Sequence, residues 1–362
     1  MNNKKYYING IGIVSPQKTF DNKEFLPAII AYHNNVLSSV VPDFKEYISP
    51  IQLRRLSRML RIGLTAATIC TRDSGVTKPD GIITATGYGF LNDTAKFVSE
   101  MLDQNEKHLT PTFFMQGTYN ALSGLVALTL KCNGYNNTYV NKGFSFETAL
   151  HDAMMQLNEG ELKTFLVGGY DEADEVQYKV NSRVGHYKND HINSLELFEH
   201  ESKGSLQGEG AVFFLLDSAR GENCWCILKG VKMLFKPDSS EMVLEELRSF
   251  LSSNDISFAD ISIFINGVSG DVVNDKLLSA LAGKQFQQIP EIRFKHLCGE
   301  YCTASSFGLW VGASMLKKQQ IPSILQFNNA PAPSFISNIL LVNQYMGRNY
   351  SFMLLQHSDK NL

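Results

Sequence analysis

Two segments of almost unbroken apolar residues, LKTFLVGGYDE at 162–172 and LQGEGAVFFLLDS at 206–218, constrain the fold most. A strand with one wet face alternates apolar and polar residues, whereas a strand that does not alternate must be covered on both faces. YYINGIGIV (6–14), DGIITATGYG (80–89), WCILKGVKMLF (225–235), ISIFING (261–267) and NILLVNQYMGRNYSFMLLQ (338–356) read as further strands. Helical patterns lie between them. Ser49-Pro50 opens one with Leu53, Leu56, Met59, Leu60 and Leu64 on one face, since proline suits a first turn. The stretch 110–132 reads as an extended run followed by a helix, in which Ala121, Ser123 and Gly124 permit close contact. Segments 239–254, 271–283 and 303–322 supply three more helices, and the polar stretch 184–204 reads as a long surface excursion. Strands alternating with helices in both parts of the chain predict a layered α/β protein.

The chain is long enough for a large core or two packed halves, with 362 residues of which 44% are hydrophobic. Charged residues make up only 19%, so much of the surface is uncharged or covered by a partner. A net charge of −3 argues against nucleic-acid binding, with RRLSRMLR (54–61) as the local exception. Six cysteines are too sparse for a disulfide scaffold, and no run of 18 apolar residues suggests a membrane span. The first apolar segment is short and stopped by Pro16, so no leader is read and the cytoplasm is the expected compartment.

Motifs for cofactors are missing. GYG at 87–89 and GIG at 10–12 lack the spacing of a dinucleotide fingerprint and read as turns, and no phosphate-binding loop or HExxH occurs. No cofactor and no metal are expected. Cys224 and Cys226 flank Trp225 on a strand and read as packed thiols; Cys298 and Cys302, near His296, offer too few ligands for zinc. TYVNKGFSFETALHDA (138–153) reads as a short strand, a turn at Lys142 and Gly143, and a helix, a common place for a nucleophile. The hydroxyl after its turn is Ser145, but GFSFE is not the GxSxG of a hydrolase elbow, so a helix-cap or turn role is expected. Glu147 suits the positive end of the helix, and His151 follows one turn on. An independent acyltransferase or thioesterase using Ser145 and His151 stays open, as does a structural acyl-binding protein.

Taken in order, INGIGIVSP, RRLSRMLRIGLTAA, QGTYNALSGLVALTLKCNGYNNTYV, ALHDAMMQLNEGELKTFLVGGYDE, GEGAVFFLL, KHLCGEYCTASSFG and GRNYSFMLL resemble the β-ketoacyl-acyl-carrier-protein synthases, over nearly the whole chain. The resemblance implies a thiolase-like five-layer α-β-α-β-α fold of two similar halves, residues 1–218 and 219–362. Those enzymes carry an acyl group on a cysteine and use two histidines to assist decarboxylation. Counting back from EGELKTFLVGG, the resemblance assigns the cysteine position to Gly143, the histidine positions to Val268 and Glu300, and a retained lysine to Lys295. A thiolate attacks and leaves a thioester well, and neutral imidazoles stabilise an enolate oxygen. Glycine, valine and glutamate do neither.

Loss of that triad within a kept fold is similar to the chain length factors, inactive partners of a ketosynthase in type II polyketide systems, and the nucleophile loop is most like those of aryl-polyene and flexirubin-type clusters. The resemblance then implies an active ketosynthase as partner in a heterodimer, an acyl carrier protein bearing the growing chain, and no nucleic acid or membrane span. The partner would pair through the strand at Thr138–Asn141. Phe113, Phe114, Met115 and Tyr119 are the candidate wall of the shared tunnel, where stiff aromatic faces suit a conjugated chain.

Overall fold

The computed structural model describes residues 5–358; the outermost ends of the two expected halves lie outside them. Ten strands carry the core: β1 (Tyr6–Val14), β2 (Gly81–Ala85), β3 (Tyr135–Tyr139), β4 (Thr164–Asp171), β5 (Gly210–Asp217), β6 (Cys226–Phe235), β7 (Ile263–Gly267), β8 (Glu291–Ile292), β9 (Asn338–Tyr345) and β10 (Asn349–Gln356). The first five lie in the spatial order β1-β5-β4-β2-β3 and the last five in the order β6-β10-β9-β7-β8. The pairings repeat as well. In each set the first two are antiparallel and the last two parallel. The chain is therefore built of two similar halves. Their strands join edge to edge where Tyr6–Ile8 meets Cys226–Leu228.

Period-2 alternation explains why the strands look uniformly apolar. Val167, Phe214, Leu341 and Met353 face a central cluster with Phe146 and Leu150 of α3 (Ser145–Glu159) and Phe307 and Val311 of α6 (Ser305–Lys318). Their neighbours Leu166 and Phe213 face an outer cluster built on α1 (Arg58–Ser74) and α2 (Ala121–Leu130). On the opposite side Leu340 and Phe352 face α4 (Ser240–Ser253) and α5 (Lys276–Gln285). Helices thus cover both faces of both sheets, with α3 and α6 shared between them, which is the expected five-layer order.

Asp73 fastens the seam between the halves. Its Oδ2 accepts the backbone N–H of Ile11 at 2.9 Å and Trp225 Nε1–H at 2.7 Å, and its Oδ1 accepts from Asn223 at 3.0 Å. Asp73→Ala leaves the Ile11 and Trp225 donors without this acceptor, while Asn223 keeps the Asp73 carbonyl at 2.9 Å, and is expected to lower stability by about 2–3 kcal/mol, read as a fall in the urea midpoint.

Three local expectations are corrected. The helix opened by Pro50 ends at Leu53, and a separate helix begins at Arg58, so Leu53 and Leu56 only flank the outer cluster. The extended run at 110 is a helix, Pro111–Gln116, again with proline in its first turn, and it follows a helix at Leu91–Asp103. The stretch 184–204 is not all surface: Ile192 and Leu197 form a small cluster with Leu37 and Leu206. Lys188 is buried there too, its ammonium donating to Ser202 Oγ at 2.8 Å and the Gly270 carbonyl at 2.9 Å. Among the described residues no helix is long and apolar enough to cross a membrane.

Candidate functional site

Gly143 sits in the tight turn Lys142–Phe144 between β3 and α3, and it is buried. A Cβ placed on it would lie 2.5 Å from Tyr345 Cβ and 2.7 Å from its Cδ1. The space in front of the helix is thus filled by the last residue of β9, whose hydroxyl burial holds well above the usual phenol range. That hydroxyl meets Cys302 and Tyr88, and the Lys142 ammonium stands 3.4 Å above the Tyr88 ring. Cys302 is fully buried, and burial, followed by the charge of Asp171, pushes its thiol well up, away from nucleophilic thiolate.

Glu300 and Lys295 form a closed ion pair. Lys295 Nζ donates to Glu300 Oε2 at 2.7 Å and to the Gln344 carbonyl at 2.8 Å, and the lysine is wholly buried. Burial raises the Glu300 carboxyl to about 7 against the pull of Lys295, with the nearby charge of Asp275 adding to the rise. Gln344 continues the network, its Nε2 donating to Asp275 Oδ1 at 2.8 Å, while Asp275 also accepts the N–H groups of Ser269 at 2.8 Å and Gly270 at 2.7 Å. This ties the loop after β7 to the end of β9. Val268, on that loop, packs into the apolar cluster under α4 and α5. Glu147 stands in the first turn of α3, as expected, and it is buried: its Oε1 accepts from Ser351 Oγ at 2.8 Å, and burial raises its carboxyl.

The other candidates separate. Ser145 Oγ accepts the Asn141 N–H at 2.7 Å and lies 2.8 Å from the carbonyls of Thr86 and Lys142, so it caps the turn as expected. His151 is exposed, six residues along the same helix and about 240° around its axis. The pair Ser145–His151 is not formed. His296 lies between Phe198 and Phe327, at 5.5 and 5.4 Å, and burial lowers its ring to about 4. Cys224 and Cys226 are packed thiols, and among the described residues no group of three or more His, Cys, Asp or Glu could hold a metal.

The four wall residues do not share one wall. Tyr119 lines a cleft of about 770 Å³ beside β3, with Tyr88, Leu91, Asn136 and Val140. Phe113 and Met115 line a second cleft of about 650 Å³ against Arg54 and Arg55, and Phe114 pairs with Phe97 at 5.3 Å. Sequence reasoning missed Tyr345, Tyr88, Cys302 and the Gln344–Asp275 link. Their contacts reach Gly143 and Lys295 from segments far away in the chain, and no local pattern announces them.

The chain belongs to the beta-ketoacyl synthase family: the family's N-terminal domain profile matches residues 9–221. A curated relative, 3-oxoacyl-[acyl-carrier-protein] synthase 2 of Synechocystis, is 22% identical over 206 residues, 53% of this chain. This chain spans about half the length of that relative, 50%. Among solved structures, the ishigamide ketosynthase/chain length factor superposes with a TM-score of 0.80 at 16% identity, over 98% of this chain and 99% of that one. A ketosynthase in complex with its chain length factor from Xenorhabdus doucetiae gives 0.75 at 16%, over 98% of each chain. A β-ketoacyl synthase from Burkholderia phymatum gives 0.75 at 14%, over 98% and 99%. At these identities the likeness is one of fold, the thiolase-like fold of two halves.

Proposed function

We propose that this chain is a non-catalytic ketosynthase-like subunit, a chain length factor, that pairs with an active β-ketoacyl-carrier-protein synthase in fatty-acid or polyketide-type synthesis. The observation that carries this reading is Tyr345 seated against Gly143: the position assigned to the acylated cysteine has no side chain and no room for one. Val268 and the Lys295–Glu300 pair leave no imidazole at the two histidine positions. The halves divide, in this reading, at 218/219. The aryl-polyene or flexirubin assignment rests on the nucleophile loop alone.

The surface for a partner is the edge at β3, which has a neighbour on one side only. Tyr139 turns its carbonyl to Thr86 of the neighbouring segment, at 3.1 Å, so Asn136 and Thr138 present theirs outward. Val140, and Leu128 of α2 at 76% exposure, flank that edge. The cleft beside it, with Tyr119 and Tyr88, is the part of a shared pocket that this subunit would line, and an acyl carrier protein would deliver the chain to the pair.

Co-expression with the ketosynthase should yield a stable heterodimer whose condensation is lost when the partner's cysteine is replaced. Condensation by the isolated chain would overturn the reading. Val140→Lys with Leu128→Lys is expected to weaken the heterodimer by about a hundredfold or more, with the circular dichroism of the chain unchanged. In the intact complex, Tyr119→Ala should lengthen the product, checked by mass spectrometry, while Phe114→Ala should not.

A further inference from the structure

Residues 91–116 stand apart from the layers, beyond Phe90, which is buried in the outer cluster 5.3 Å from the Tyr170 ring. The helix Leu91–Asp103 buries only Asp93, and the helix Pro111–Gln116 buries nothing. Val98, Leu102, Phe114 and Met115 are all exposed. The two helices nevertheless hold to each other. Phe97 meets Phe114, and Glu100 accepts the backbone N–H and the hydroxyl of Thr110 at 3.0 and 3.2 Å. Such a piece coheres internally while gaining little burial from the body, the physical signature of a segment that opens as a unit.

Its base is narrow. Gly89 enters it with φ at 69°, in the left-handed region, and the Tyr119 ring lies 2.5 Å from where a Cβ would be. Gly117 leaves it at the end of the second helix. Tyr170 holds Tyr119 from below, its hydroxyl donating to the Tyr119 carbonyl at 2.8 Å. The entry is thus pinned at Phe90, and the exit is a glycine close to the anchored tyrosine. A cleft flanks the lobe on each side, about 770 Å³ toward β3 and about 650 Å³ toward Arg54–Ser57. On the arginine side Gln116 spans the gap, accepting the Ser57 N–H at 2.8 Å and donating to the Arg55 carbonyl.

We propose that residues 91–116 form a lid that hinges just beyond the anchored Phe90 and at Gly117 and is latched by Gln116, and that release of the latch swings it toward β3, closing the cleft there and widening the other. The motion stands on its own; its consequence, a cover over a chain held in the shared pocket, rests on the subunit reading above. The two are separable because the motion is measurable without a partner.

All six native cysteines are buried, so spin labels at Ile51→Cys and Leu102→Cys, positions 72% and 75% exposed, report the distance from the lid to the arginine side. In the full chain, Gln116→Ala should shift the distance distribution to longer separations. In the unaltered chain, the amides of Leu91–Asp103 should exchange as one group, about tenfold or more faster than those of Arg58–Ser74. A single narrow distance unchanged by Gln116→Ala would overturn the proposal. So would lid amides protected as well as those of α1, a measurement that needs no variant. Loss of partner binding with both lid results intact would remove the subunit reading and leave the lid.

Discussion

Gly143→Cys is expected to destabilise the chain by about 1–3 kcal/mol and to restore no condensation. The new Cβ would arrive 2.5 Å from Tyr345 Cβ, in a region with no exposed side to yield toward. In the proposed reading a sulfur set there would still lack the imidazoles that stabilise an enolate, since that reading puts Val268 and Glu300 at their positions. Even serine, which would be harmless if only the missing nucleophile mattered, meets the same tyrosine. Adding Tyr345→Ala to Gly143→Cys should recover part of the stability without activity. Thermal unfolding reads the first effect, and acylation of the intact protein by an acyl thioester, followed by mass spectrometry, reads the second. Acyl transfer to the introduced cysteine with turnover to a condensed product would show that the remaining site is competent.

Lys295→Met should cost about 3–5 kcal/mol at pH 8, because it strands the Glu300 carboxylate in the interior. The penalty should shrink at pH 5, where Glu300 is neutral. Lys295→Met with Glu300→Leu should recover most of the loss. The intact pair makes a prediction of its own. Glu300 has a folded value of about 7 against an ordinary 4.5. Below 4.5 both states hold the proton. Between about 4.5 and 7 the unfolded chain releases it and the folded chain retains it, so stability falls as pH rises through that window and levels off above it. Glu147, raised by burial, adds in the same direction. Urea unfolding from pH 5 to 8 should show this decline, and Glu300→Gln should flatten it. An identical slope in the variant would assign the titration elsewhere.

What the sequence made legible follows the range of each interaction. The buried strands and helices α3, α4, α5 and α6 rest on local apolar periodicity, and their places were readable. Gly143, Val268 and Glu300 drew attention as residue types, through the resemblance alone. What surrounds them was not readable. Tyr345 reaches Gly143 across two hundred residues, and Glu300 shows its pairing with Lys295 only once a turn of helix brings them together. The lid helix Leu91–Asp103 was passed over although Leu91, Val98 and Leu102 stand at helical spacing along it, a stripe that the body of the protein leaves exposed at Val98 and Leu102. The wall residues were chosen for chemistry on one stretch, and the helix at Pro111–Gln116 then turned successive side chains to different sides.

The two ends of the combined sheet are unequal, and this sets how far assembly can go. β3 offers five residues with an open side, whereas its counterpart β8 has two, and the Ile292 bridge to Gln326 covers part of that short end. A protein with a usable edge at both ends can add copies without limit. With one end blunted, a single addition at β3 would leave this chain no second usable edge, and a companion seated there as proposed could not seed a fibre.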